Sequence, residues 1–439
     1  VGHALSLTDG TRTVSLVGAG VMLRHYVPQT PSIEPAGLIG QVSEPVEVML
    51  HGASAAAVQS TVAAVERLFL AARSRYWTGH GPRVFVQLAL AGEGVTYRSP
   101  LVNGSLELEK DALTAFGQCK VNARLILTRE GYWEGPRTAL PLSNRNGSGN
   151  TTGLTLYNRG TGQDNWADIQ AGAVGGSLPA PLELWLTNNS GATRHYANFR
   201  IANNAYDPAL PHILEGESAN PAVTVVGDGG SSGGAYGAFT GVSGSFQLEA
   251  GPGVTGKIAG RRVHLLARFA ALPLTGVWAQ ATVLDFAGVT PLYTAPEVLL
   301  TPAAGSRIHH LGTVPLPPTA YDTSGPTLKL RVNVTCAAAG TVGLDFVQLT
   351  PADDLCYRHI IQQGYGAPNG STLVDDGIEG LVYLQVGGTN YPLYTARTQP
   401  VHAFPGVSNR IYVLHDGEGM GVNWTLSLRA WCRPRRLTL

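Results

Sequence analysis

The sequence predicts a mainly β protein: a helix-flanked β-sandwich that carries, inserted or appended, a second sandwich of the jelly-roll kind. Three observations lead there. One stretch alone has a persuasive helical period, apolar residues elsewhere alternate in short runs closed by turn residues, and the composition is rich in turn formers and poor in charge. Hydrophobic residues make up 44% and charged residues 14% of 439 positions, with 55 Gly and 28 Pro. A chain of that length exceeds one ordinary core and suits two or three domains. Low charge with abundant Gly and Pro is the reverse of the balance that keeps a chain disordered.

The elements follow in order. Residues 4–16 set an Asp9-Gly10 turn between two alternating runs, a short-range hairpin signal. A strand is expected at Glu47–Leu50. Ser54 then caps a helix over about 54–73, whose apolar stripe is Val58, Val62, Val65, Phe69 and Ala72. Such a helix should lie on a sheet, and the sheet is visible next: Val84–Leu90, Val95–Ser99, Ser105–Leu108 and Val121–Leu127 all alternate. A doubly wound α/β fold would need helices between most strands.

Residues 1–142 therefore read as the first domain and residues 143–153, rich in Asn, Gly and Ser, as an exposed linker. Some ten strand candidates between Leu154 and Leu349 assign 154–355 to the jelly roll, interrupted by a mobile Gly/Ser loop at Gly227–Gly234. The clearest strands of the tail, residues 356–439, are Leu381–Val386, Asn409–Leu414 and Thr425–Trp431. They are expected to return to the first domain, because the jelly roll already has enough strands; the alternative is that they close the jelly roll.

Charge and cysteine usage exclude several classes. The formal net charge is zero, whereas a nucleic-acid binder would carry a basic excess. Arg433, Arg435 and Arg436 read as a solvated end. Four cysteines without a CxxC pair describe neither a disulfide framework nor a metal site. No run approaches the length of an apolar span and no charged-then-apolar leader opens the chain, so the expectation is a soluble protein without membrane insertion.

Catalytic patterns fail on context. Gly230-Ser231-Ser232-Gly233-Gly234 matches GxSxG, but the elbow needs a strand before it and a helix after it. Gly18-Ala19-Gly20 has Leu23 where a dinucleotide loop wants a third glycine. His309-His310 point to opposite faces if they lie on a strand, and so cannot ligate one metal together. Asp353-Asp354 and Asp375-Asp376 suit Ca²⁺ or acid–base work in principle, yet sit in turn-like sequence where Asp is common. No catalytic, cofactor-binding or metal residue is assigned, and no cofactor is expected.

Aromatic residues are the better lead. Trp166, Trp185, Tyr196, Tyr206, Trp278 and Tyr293 fall in or beside the jelly-roll region, and sugar rings stack on such side chains. Sandwich cores are themselves built on Trp and Tyr. Trp185 stands out of phase with Leu182, Leu184 and Leu186 and so faces outward. Trp185, Tyr196 and Trp278 are taken as candidate glycan contacts.

The N-terminal order of a DG hairpin, a strand, a helix with VQSTVAAVERLF, then VFVQLAL, GEGVTYRSPLVNGSLELE and ARLILTREGYWEG, resembles tail proteins of long-tailed, siphovirus-like bacteriophages. The closing run PVHAFPGVSNRIYVLHDG to LSLRAWCRPRR is similar to the terminal strands of the distal tail protein family. The resemblance implies a tail-tube-like sandwich that assembles as a threefold or sixfold homo-oligomeric ring with other tail proteins as partners. It further implies a structural virion protein, not an enzyme, located in the virion tail after assembly in the host cytoplasm. The jelly-roll or galectin-like domain would project outward toward host cell-surface glycan. A tail-tube or other tail subunit with a decorating domain is a close variant. A soluble bacterial glycan-binding or glycan-cleaving β-sandwich protein is the reading from another class.

Overall fold

The computed structural model describes residues 3–32, 39–109, 117, 119–158, 164–204, 213–220, 223–250, 261–274, 276–285, 287–300, 308–316, 328–353, 355–362, 366–396, 399–418 and 425–439. The chain is mainly β with sandwich-like sheets and one long helix. It divides into two compact units. The first comprises Val1–Arg137, Gly176–Leu178 and Arg433–Leu439, the second Thr138–Gly175 and Pro179–Cys432.

In the first unit the described strands form one sheet in the order Thr13–Ser15, Ala4–Thr8, Phe85–Ala89, Thr96–Leu108, Lys120–Arg129, Val42–His51, Val21–His25. Thr96–Leu108 serves both halves, pairing through Thr96–Pro100 with Phe85–Ala89 and, beyond a bulge at Leu101/Asn103, with Lys120–Arg129. An extra residue on one strand bends the sheet there. The helix Ala55–Thr78 lies on it, with Val58, Val65, Leu68, Phe69 and Ala72 buried. Ser54 accepts a hydrogen bond from the Ala57 amide at the N-terminus, and Gly79 ends the helix at φ 71°, a left-handed conformation that favours glycine. The helix runs five residues past the expected end, since Ser74–Thr78 add no apolar period and only the glycine stops them. Gly104 lets Phe69 approach the strand: a Cβ there would lie 2.3 Å from the ring.

One ion pair is sealed inside this unit. Glu44 and Arg129 have no exposed surface, and Arg129 donates from Nε to Glu44 Oε2 at 3.0 Å and from a terminal nitrogen to Oε1. Tyr26 and the Gln29 amide also donate to Glu44, and Trp133 lies 4.4 Å beneath the guanidinium. The C-terminal arginines are held as well. Arg435 pairs with buried Glu134 at 2.9 Å and its guanidinium lies over Tyr132, so the expected solvated end is corrected to a structural one. The cause is the strand pairing of Arg435–Arg436 with Trp133–Glu134, which the sequence does not announce.

The second unit corrects the domain boundaries. Residues 143–153 are no linker: Leu142–Asn144 and Gly147–Asn150 form a hairpin whose Asn and Ser side chains bind its own backbone. This hairpin begins a sheet that continues through Trp166–Ile169, Asn409–Glu418, Arg194–Asn203, Tyr357–Ile361 and Tyr394–Thr395. Another sheet runs Leu154–Tyr157, Thr425–Cys432, Ala180–Asn188, Thr372–Asp376, Leu381–Val386, Thr389–Pro392. Leu156, Leu184, Leu186 and Leu428 of this second sheet share one core with Phe199, Ile201 and Ile411 of the first. Residues 356–432 thus close this sandwich, and only 433–439 return to the first unit. The reason is register: Leu182–Asn188 pairs residue by residue with Leu426–Cys432.

Residues 213–351 are a further insertion with a core of their own. The 24-residue strand Leu328–Pro351 pairs with Ala235–Ala250 as far as Leu344, with Val277–Leu284 over its first part and with Arg262–Ala271 over its second. Phe246, Leu265, Phe269, Val283, Val332 and Leu344 fill the core. Leu266, Ile308 and Phe346 on the opposite face join the core of the sandwich. Coverage on both faces explains why 263–269 and 342–350 are buried without alternation. The Gly227–Gly234 loop, expected to be mobile, is pinned: the Ser232 amide donates to Asp345 at 2.8 Å and Arg268 donates to the Gly230 carbonyl.

Glu44→Ala leaves Arg129 buried without its carboxylate. It is expected to lower stability by about 3–5 kcal/mol, read as a shift of the denaturant midpoint with an unchanged slope.

Candidate functional site

The three aromatic candidates fall in different surroundings. Tyr196 is 2% exposed, packed on Phe199 at 4.8 Å and His415 at 5.3 Å, and so is corrected to a core residue. Burial raises its hydroxyl pKa. Trp278 is partly buried on Val277–Leu284 of the inserted sheet, near Gly276. Trp185 alone stands on an outward sheet face beside other groups able to recognise a ligand. Tyr206 and Asp354 lie outside the described residues.

The face around Trp185 follows from strand alternation. On Ala180–Asn188 the even residues Leu182, Leu184 and Leu186 enter the core, which sends Glu183, Trp185 and Thr187 to the other face, where Trp185 and Thr187 are half-buried and Glu183 is buried beneath its neighbours. Antiparallel register sets Arg429 opposite Trp185 and Trp431 opposite Glu183. The two indoles meet at 5.1 Å between ring centroids, tilted by 57°, and the Arg429 guanidinium lies 4.9 Å from one and 5.8 Å from the other. The Trp185 indole N–H donates to Glu183 at 2.7 Å. On the other flank Val374 faces Trp185, Asp376 faces Glu183, and Tyr383 faces Val374 in the next strand.

This platform has an aromatic half and a carboxylate half. Burial, with Glu183 and Glu379 close by, raises the Asp376 carboxyl above its ordinary pKa, although the Glu379 amide hydrogen bond opposes the shift. Burial and the same carboxylates Asp376 and Glu183 raise the Tyr383 hydroxyl. Trp431 and Arg429 complete the face and were not singled out from sequence. The alternation in Thr425–Cys432 was the available signal, but which strand lay beside it was not.

Two concave features lie elsewhere. A cleft of about 330 Å³ at the edge of the same sandwich is lined by Pro368, Leu384, Val386, Tyr391 and Leu393 among others. A polar groove of about 320 Å³ in the first unit is lined by residues including Arg24, Glu47, Glu107 and Arg124. Among the described residues no group of three or more His, Cys, Asp or Glu is placed to hold a metal ion. Ser232 of the GxSxG match is buried in the pinned loop with its hydroxyl donating to Glu215, and the loop runs on into the strand Ala235–Ala250 where an elbow needs an α-helix. Asp375 is buried against Arg358 at 3.0 Å between the two sheets, while Asp376 of the same pair faces out. Gly18-Ala19-Gly20 forms a tight turn with Gly18 bridged to Val21.

No protein-family model and no curated protein matches the chain. Among solved structures it is similar to the SPP1 Dit (gp 19.1) protein, described as a paradigm of hub adsorption apparatus in Gram-positive infecting phages. Identity there is 7%, with 99% of each chain covered and a TM-score of 0.30. It is also similar to a chain of the phage P2 baseplate in its activated conformation with Ca, at 9% identity, covering 99% of this chain and 98% of that one, with a TM-score of 0.30. A chain of the phage p2 baseplate with Sr matches at 11% identity over 80% of this chain and 99% of that one, with a TM-score of 0.22. These TM-scores are low, and a functional reading has to stand on the chain's own sequence pattern and architecture.

Arg429→Ala removes the cation from both indoles and is expected to cost about 0.5–1 kcal/mol in thermal stability, with an altered tryptophan emission spectrum and an unchanged far-UV spectrum.

Proposed function

We propose that the chain is a structural subunit of a bacteriophage tail, the distal tail or hub protein that forms a ring between tail tube and tip. The observation that carries the reading is architectural. Both ends of the chain build one helix-flanked sheet, in the order of hairpin, strand, helix and strands that marks the tail-protein resemblance, and residues 138–432 form a separate β unit between them. A small unit made from both termini is suited to ring assembly, because a large insertion can vary without disturbing the sheet that meets its neighbours. The partners are further copies of the chain and other tail proteins, the place is the virion tail after assembly in the host cytoplasm, and the role is not enzymatic.

The inserted unit is read as a host-contact module. The Trp185, Trp431 and Arg429 face, with Glu183 and Asp376 beside it, offers a sugar an apolar surface for its C–H face and carboxylates for its hydroxyls. Repeated around a ring, weak contacts of this kind add up by avidity.

Negative-stain microscopy of the purified protein, with its solution mass, tests the ring. Threefold or sixfold rings with a central hole are expected; a monomer that never assembles, alone or with tail partners, sinks the reading and favours the soluble glycan-binding alternative. For the module, Trp185→Ala is expected to weaken glycan-array binding about tenfold, a loss of about 1.4 kcal/mol per site. Equal binding by the variant would remove this face from the proposal.

A further inference from the structure

The sandwich sheet built on Arg194–Asn203, Tyr357–Ile361 and Asn409–Glu418 has an outer face covered by the inserted sheet. Apolar packing supplies part of that seam, through Leu266, Ile308 and Phe346. The remainder is an unusual collection of basic groups. On the sandwich side Arg200 pairs with Asp416 at 2.9 Å, and His359 shares a 2.8 Å hydrogen bond with Asn198. On the inserted side Arg268 pairs with Asp345, and the His264 ring stands 4.3 Å from Tyr357 across the seam. Asn165 donates to Gln348 across the same seam at 3.2 Å.

The surroundings of the histidines work against a second positive charge. His264 Nδ1 lies 3.1 Å from His310 Nε2 and 2.8 Å from Thr313 Oγ1. Two imidazoles at that separation share one proton, and charging both would set two cations in contact. His359 faces Arg200, Asp416 and His310, and His309 faces Arg200 and Asp416 with its ring against Phe269. His415 lies on the other face of the sheet, enclosed by Tyr196 and Phe199 in the sandwich core, and is not part of the seam. Arg200 and Arg268 already have their carboxylates, so an added imidazolium meets a neutralised pair and not a free anion.

We propose that this seam is an acid-opened joint, at which protonation of its histidines releases the inserted sheet, residues 213–351, from the sandwich that carries it. Burial first, then Arg200, holds His309 and His359 down at about 4. A histidine whose closed-state value lies below its value in water binds its proton more readily when the seam is open. Closure is therefore undisturbed above the ordinary histidine value of 6.5 and is lost progressively as pH falls from there toward 4. One such histidine favours opening by on the order of a hundredfold at the acid end of that window.

Hydrogen exchange of the full chain, compared between about pH 7 and about pH 4.5 with intrinsic rates corrected, reads the joint directly. Peptides over Arg262–Ala271, Ile308–Pro315 and Tyr357–Ile361 are expected to lose at least about tenfold more protection than Lys120–Arg129 of the first unit. His309→Gln with His359→Gln, which keep neutral polar side chains there, should abolish most of that excess. Seam peptides that lose no more protection than the first-unit strand overturn the proposal. So does an excess that persists undiminished in the double variant. If that variant fails to fold, His264→Phe, which removes the shared proton, takes its place with the same expectation.

Discussion

The seven-residue register between Leu182–Asn188 and Leu426–Cys432 constrains more of this molecule than any other pairing. Strands this distant in sequence can be neighbours only if everything between them leaves the sheet and comes back. The later strands of the other sandwich sheet, from Arg194–Asn203 to Asn409–Glu418, and the inserted sheet with its own core are both accommodated inside that excursion. The same pairing delivers residues 433–439 to where they can extend the first unit. Closing so long a loop costs little more entropy than closing a shorter one, because the cost grows only with the logarithm of loop length.

Buried ion pairs mark several such long-range closures. Glu44 with Arg129, Arg358 with Asp375, Arg268 with Asp345 and Arg200 with Asp416 all join different strands and are almost wholly out of solvent. A buried pair is a poor source of net stability, since desolvation offsets much of the attraction. Its effect is to penalise the wrong register: a strand slipped by one residue would leave a charge buried without its partner. In a chain made largely of short apolar strands, which can pair promiscuously, that penalty separates one arrangement from its competitors.

The Trp185 face shows how much of a site can be read before a fold is known. Phase against three leucines placed Trp185 outward, and the same arithmetic applied to Thr425–Cys432 would have sent Arg429 and Trp431 outward too. Alternation says nothing about which two strands lie side by side, so the tryptophans could not be joined. Tyr196 misled for a related reason. A bulge between Tyr196 and Asn198 breaks the simple alternation of its strand, and the ring turns into the core beside Phe199. The Asn- and Gly-rich hairpin at 142–150 was likewise opaque, because its stability comes from side-chain hydrogen bonds to the backbone and not from an apolar period.

By itself the sequence determined the fold class, the single long helix with its Ser54 cap, and most strands whose one face meets water, since those properties depend on neighbours a few residues away. It also disposed of the short motifs, whose chemistry needs a local strand or helix that the flanking residues cannot form. Tertiary structure alone decided the nesting of 213–351 inside the sandwich, the assignment of 356–432 to that sandwich, the structural use of Arg435, and the gathering of four histidines near one seam. Each of these rests on pairing between segments up to some hundreds of residues apart, and the free energy that selects such a pairing belongs to both strands together and is encoded in neither one alone.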